Sequence, residues 1–190
     1  MSSGLNQILR ESIPIFALCS FGGVAAGLLL EGLKTDMSAI PGILILLPAI
    51  LGMRGNISGA LGSRIASALH LGLIHPELRW TPTLSMNLKA SLILNTLMSV
   101  LSGFIAYHAY SLAGHGEDVP ASLVQLVLIS FTTGTMAGVL ISFLTVAFAL
   151  ITYAKGLDPD NVLAPSLATV GDIITVLCLL ISIRVVTYVI

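Results

Sequence analysis

The last apolar stretch of the chain contains a single carboxylate, Asp172, about ten residues after the stretch begins at Val162. At 1.5 Å per residue, a helix would carry this side chain about 15 Å from its start, close to the middle of a lipid bilayer. A charge at that depth costs roughly 2.5 to 3.5 kcal/mol on insertion scales, so Asp172 is a candidate functional residue. Its helical face is narrow, small and hydroxylated. The residues that share this face are Pro165, Ala168, Thr169, Thr175 and Val176.

A second polar face lies in the second apolar stretch. Asn56, Ser63, Ser67 and His70 follow one another at i, i+7, i+11 and i+14, which is one face of a helix. Two interpretations stay open: this face lines a path through the membrane, or it packs closely against another helix. The second interpretation rests on small residues at four-residue spacing, which are Gly55, Gly59, Ser63 and Ser67.

These two faces offer carboxylate, amide, hydroxyl and backbone oxygens. Such a donor set suits Mg²⁺, Ca²⁺ or Mn²⁺ better than the softer copper or zinc ions. Cys19 and Cys178 lie apart in apolar stretches and predict two small buried side chains. We expect the cation site to be formed by Asp172, Asn56, Thr169, Thr175, Pro165 and Ala168. We expect its approach to be lined by Gly55, Ser63, Ser67, Asp160 and Asn161.

Alternatives exist for the charged residues. Asp172 could instead be paired with Arg54 or Arg64, or be protonated. Arg54 lies almost opposite Asn56 on a helix, which predicts a structural partner such as backbone carbonyls, whereas Arg64 is expected to extend to the cytoplasmic interface. Asp160 is more simply a capping or surface residue, although acidic groups at a pore mouth would also attract cations.

The composition of the chain requires a membrane. Of its 190 residues, 56% are hydrophobic and only 9% are charged, and the mean hydropathy is +1.02. Soluble domains carry about a quarter charged residues, so a water-facing surface could not be built from this sequence. The net charge is -1 and the basic residues are scattered. A nucleic-acid partner is therefore not expected.

The elements that must position Asp172 are five apolar stretches. They predict an all-α integral membrane protein with five transmembrane helices in a single domain over residues 1–190, the first being a mature helix and not a cleaved leader. The second stretch would be about 52 Å long as one helix, so it is expected to be broken between Pro48 and Asn56. The predicted helices cover residues 13–30, 40–74, 88–112, 122–153 and 162–190.

Basic residues near the ends of the stretches predict the orientation. The side that would hold the N-terminus is richer in them, which favours a cytoplasmic N-terminus and an external C-terminus in the plasma membrane. The residues on the N-terminal side are Arg10, Arg79, Lys89 and Lys155, and those on the other side are Lys34 and Arg184.

Two motifs resemble one known family. Leu47-Pro-Ala-Ile-Leu-Gly-Met-Arg-Gly-Asn56, which continues through Leu61 to His70, is similar to the second-helix motif of the MgtE and solute-carrier family 41 magnesium transporters. Leu157-Asp-Pro-Asp-Asn-Val-Leu-Ala-Pro165, followed by Thr169-Val-Gly-Asp172-Ile-Ile-Thr175, resembles the last-helix motif of that family. The resemblance implies a homodimeric transmembrane domain with the cation path at or near the subunit interface. It also implies Asp172 as the principal cation ligand, with Asn56 as the matching polar residue of the second helix.

The chain also departs from the bacterial members of that family. Arg54 precedes Gly55-Asn56 where the bacterial motif has glycine, which is closer to the solute-carrier type. That branch joins two such halves in one chain, so pairing of this half with itself is expected. It is associated with sodium-coupled export, which makes Na⁺ a candidate coupling ion. Because the segment before Ile13 is short, we do not expect the regulatory N-terminal and CBS domains of bacterial MgtE.

Two classes of function follow from these observations. The first is a transporter or channel for a divalent cation, most simply Mg²⁺, in which Asp172 binds a largely hydrated ion. The second is an intramembrane enzyme or a non-transporting scaffold, in which Asp172 is an acid/base or a member of a structural ion pair. The sequence has neither a Gly-x-Ser-x-Gly elbow nor an aspartate cluster, so we expect no enzyme.

Overall fold

The computed structural model describes residues 2–32, 34–35, 40–77, 79–113, 122–156 and 159–189. All five helices of this part of the chain are long and apolar enough to cross a membrane, which confirms the predicted five-span architecture. They are α1 (Ser2–Gly32), α2 (Ile43–His70), α3 (Pro82–Leu112), α4 (Leu123–Ala154) and α5 (Pro159–Val189).

Polar side chains cap the starts of α3 and α4. The Thr81 hydroxyl accepts a hydrogen bond from the Leu84 backbone N–H at 3.2 Å, and Pro82 occupies the first turn of α3. Ser122 caps α4 by accepting from the Gln125 N–H at 3.1 Å. Such caps satisfy backbone donors that have no partner within the helix. Helix α3 therefore begins six residues before the predicted residue 88.

The second helix corrects one prediction. We expected a break between Pro48 and Asn56, but α2 is continuous over 28 residues and is about 42 Å long. Pro48 is the sixth residue of the helix, where it removes only one backbone hydrogen bond. The excess length of the apolar stretch lies instead in turns at its two ends. Gly42 (φ 92°) precedes the helix and Gly72 (φ 69°) follows it, in a backbone conformation that glycine adopts without strain.

Helices α2, α3, α4 and α5 pack around one another, and α1 lies along α5. Two apolar clusters occupy the two ends of this bundle. One is formed around Ile43, Leu46 and Ile50 of α2, and the other around Leu61, Ile65 and Leu69 of the same helix. Between them lies a layer with many buried polar side chains, which we call the middle layer. It contains Arg54, Ser58, Ser91, Asn95, Ser99, Ser130, Thr133, Ser142, Thr145 and Thr175.

Candidate functional site

The middle layer contains an ion pair between α2 and α5. The Nη2 of Arg54 donates to Oδ1 of Asp172. The Nη1 of the same guanidinium donates to the Leu167 carbonyl oxygen at 3.3 Å. Asp172 thus lies between the two apolar clusters. Its partner is Arg54, which was one of the alternatives left open by the sequence, whereas Arg64 is exposed.

The two members of the pair differ sharply in exposure. The Arg54 side chain is 3% exposed and the Asp172 side chain is 41% exposed. The guanidinium is therefore enclosed by protein, while the carboxylate reaches the outer surface of the single chain. A carboxylate at mid-depth is expensive to present to lipid, so this part of the surface requires water, an ion or another protein chain against it.

Gly171 makes the ion pair sterically possible. A Cβ atom built on this residue would overlap Nη1 of Arg54 and would lie 2.8 Å from its Cζ. The guanidinium consequently rests against the α5 backbone one residue before Asp172. Neither Gly171 nor Leu167 was among the predicted site residues, although Gly171 lies in the last-helix motif directly before Asp172.

The predicted polar face of α2 lies on the outside of the chain. Asn56, Ser63 and Ser67 are exposed, and Gly55 is half-buried. A Cβ atom on Gly55 or Gly59 would meet no other atom within 4 Å, so neither glycine is packed against a helix of the same chain. The close-packing interpretation therefore finds no support in the described part of a single chain.

A small cavity of about 90 Å³ lies between this face and α5. Its lining combines residues of both predicted motifs. These are Gly59, Gly62, Ser63, Leu163, Ala164 and Leu167.

The remaining predicted ligands on α5 point in different directions. Thr169 faces α1, with its hydroxyl 3.2 Å from the Pro165 oxygen and 3.5 Å from the Cys19 oxygen. Thr175 is fully buried and donates to the Gly171 oxygen at 2.7 Å. Ala168 is exposed. The side chains of Asp160 and Asn161 lie outside the described residues.

One contact was missed by the sequence analysis. The half-buried Cys19 thiol donates to the Pro165 oxygen at 3.2 Å, so this cysteine joins α1 to α5 instead of acting only as a small apolar side chain.

The described residues contain no group of three or more His, Cys, Asp or Glu side chains that could hold a metal ion.

The described part of the chain thus has the architecture of an all-α integral membrane protein, with an ion pair between α2 and α5. Residues 47–182 match the family described as MgtE, divalent cation transporter. Because the match covers more than half of the chain, the protein belongs to this family. The family consists of transporters, which confirms the expected class and removes the enzyme alternative.

Curated relatives agree with this assignment. Solute carrier family 41 member 2 of Homo sapiens is 29% identical over 180 residues, which are 92% of this chain and 30% of the relative. The Xenopus laevis member 2 is 28% identical over 179 residues, with 91% and 31% covered. Member 3 of Rattus norvegicus is 26% identical over 175 residues, with 91% and 37% covered. The chain spans about a third of the length of these curated relatives. The predicted family resemblance is confirmed.

Proposed function

We propose that this protein moves a divalent cation, most simply Mg²⁺, across the plasma membrane, and that Asp172 is its principal ligand. The observation that carries the proposal is the 41% exposed carboxylate of Asp172 beside an enclosed guanidinium. A side chain retained at this depth and facing outward from the chain can meet an ion there. Membership of a divalent cation transporter family supports the class of the ion.

The path of the ion lies at or near a homodimer interface in this proposal. The exposed face of α2 presents Asn56, Ser63 and unpacked glycines, which let two backbones approach closely. A second copy of the chain would cover this face and shield Asp172 from lipid. Two carboxylates brought together would suit one hydrated divalent ion.

Asn56 is the second ligand in this scheme, and the groove beside Gly59 and Ser63 belongs to the path. Thr169, Thr175, Pro165 and Ala168 are proposed to shape the site, with Asp160 and Asn161 at its mouth. The whole of residues 1–190 acts as one transmembrane cation-transport domain. Its N-terminus is proposed to be cytoplasmic and its C-terminus external.

The test is ion flux into liposomes that contain the purified protein and a Mg²⁺-sensitive dye. We expect Mg²⁺ flux from the unmodified protein and a loss of at least about tenfold in Asp172→Ala. Glu31→Ala is the matched control, because Glu31 is an exposed carboxylate at the end of α1. Flux that survives Asp172→Ala would refute the site, and absence of flux of any divalent ion would refute the function. Repeating the measurement with and without a sodium gradient tests Na⁺ as coupling ion.

A non-transporting scaffold is the second candidate, because the Arg54–Asp172 pair could serve only to hold α2 against α5. In that case the purified protein would show no divalent-ion flux in liposomes, and Asp172→Asn would alter only stability. Oligomeric state, measured by light scattering in detergent, separately tests the homodimer.

A further inference from the structure

We infer that Arg54 is a fixed internal cation that weakens divalent-ion binding at Asp172, so that the site releases its ion readily. This inference rests on the proposed function, because it assumes that the transported ion meets Asp172. It assigns to Arg54 a role in setting affinity and turnover, without direct contact between Arg54 and the ion.

The geometry places the two cations on opposite sides of one carboxylate. Arg54 lies on the inner side, 3% exposed and hydrogen-bonded to Asp172 and to the Leu167 oxygen. The transported ion can approach only from the outer side, where 41% of the Asp172 side chain is exposed. Because a guanidinium is not deprotonated in proteins, this inner positive charge is permanent.

The arrangement depends on the residue next to the carboxylate. Gly171 leaves room for the guanidinium, since a Cβ there would overlap Nη1 of Arg54. The α5 backbone at Gly171 therefore provides the space in which the Arg54 guanidinium pairs with Asp172.

One nitrogen of the Arg54 side chain stands apart from the other two. Its Nε is buried and has no hydrogen-bond partner among the described residues. This nitrogen therefore adds no hydrogen bond to the contact between the two helices.

The consequence is electrostatic. Without Arg54, each copy of the site would carry one uncompensated negative charge and would hold a divalent ion strongly. With Arg54, the site is neutral before the ion arrives, and the ion is repelled by a positive charge through a low-dielectric interior. Conduction requires a site that binds well enough to admit an ion and weakly enough to release it.

The experiment combines Mg²⁺ binding and Mg²⁺ flux in the full chain. Binding is measured as the Mg²⁺-dependent rise in the thermal unfolding midpoint of the purified protein, and flux in dye-loaded liposomes. We expect Arg54→Gln to bind Mg²⁺ at least about tenfold more tightly, with a lower flux at saturating Mg²⁺. Arg54→Lys keeps the charge and should stay much closer to the unmodified protein. Arg64→Gln, which removes an exposed arginine of the same helix, is the matched control and should change neither quantity.

Gly171→Ala provides a second route that keeps both charges. The added methyl group would push the guanidinium away from Asp172, so this variant should also bind Mg²⁺ more tightly, and it carries the test if Arg54→Gln does not fold. Unchanged or weaker Mg²⁺ binding in a folded variant of either kind would overturn the inference. If the unmodified protein shows Asp172-dependent flux but these variants do not bind Mg²⁺ more tightly, only the inference about Arg54 fails. If the unmodified protein moves no divalent ion, the proposed function itself fails.

Discussion

The contact between α2 and α5 and the seam between α3 and α4 both carry polar side chains in the middle layer, but they use them differently. In the seam, the Oγ atoms of Ser91 and Ser142 lie 3.3 Å apart, and Ser130 donates to the Ser99 oxygen at 2.5 Å. All four of these side chains are buried and uncharged. At the α2–α5 contact, by contrast, formal charges meet and one of them reaches the surface.

Glycines reinforce the contrast. In the seam, a Cβ on Gly138 would lie 2.8 Å from the Asn95 Cβ, and a Cβ on Gly103 would lie 2.7 Å from the Val127 Cα. On the exposed face of α2, a Cβ on Gly55 or Gly59 would meet no atom of another helix within 4 Å. Small and polar residues in the middle layer therefore indicate helix packing where they are buried and uncharged. They indicate a candidate site where a charged side chain lies next to an exposed helix face.

The largest effect should come from removing one charge of the α2–α5 contact. Asp172→Asn leaves Arg54 buried without a counter-charge and should destabilise the protein by about 3 kcal/mol, besides abolishing divalent flux. Unfolding in detergent measures the first effect. The double variant Arg54→Met with Asp172→Asn should recover part of the stability but not the flux. Recovery of both stability and flux would show that the α2–α5 contact serves only helix packing, as the seam does.

A smaller effect is expected from crowding the seam. Gly103→Ala should destabilise the chain by about 1–2 kcal/mol, because the new methyl group meets the α4 backbone, which cannot move aside. The unfolding midpoint in detergent measures this cost. Gly23→Ala in α1 is the control, since a Cβ there meets no atom within 4 Å and alanine favours the helix. Equal midpoints for the two variants would contradict the close packing of α3 on α4.

The smallest effect should come from a single seam hydrogen bond. Ser142→Ala removes the contact with Ser91 and should cost about 0.6 kcal/mol, the average found for such bonds between membrane helices. Divalent flux should be unchanged within about twofold. A large loss of flux in a stable Ser142→Ala protein would show that the seam takes part in transport and not only in packing.

Much of the fold could be predicted because the bilayer imposes simple demands. Roughly 17 to 25 apolar residues are needed to cross it, and each of the five predicted stretches reaches this range. The position of Asp172 near the middle of α5 followed from counting residues along the last stretch. The start of α3 did not follow, because it is set by the Thr81 cap and Pro82, which hydropathy does not detect. The continuity of α2 was not predicted either. A proline near the start of a helix removes only one backbone hydrogen bond, so Pro48 destabilises the helix less than we expected.

The candidate site was predictable only in part. Helical spacing placed Arg54 and Asn56 on opposite faces of α2, and the structure has one enclosed and the other exposed. Spacing could not say which face was the inner one, because the interior of a membrane protein and its lipid-facing surface are both apolar. The choice between a free and a paired Asp172 likewise required the three-dimensional position of Arg54.

The placement of Asp172 between two apolar clusters has an electrical consequence. Those clusters are apolar and have a low dielectric constant. Most of a transmembrane voltage would therefore fall across them, on either side of the middle layer. A divalent ion that reached Asp172 from one side would have crossed about half of that voltage, which corresponds to roughly 2.3 kcal/mol at 100 mV. Occupancy of the site would then be set by the membrane potential as well as by concentration, with a difference of nearly fiftyfold between 0 and 100 mV.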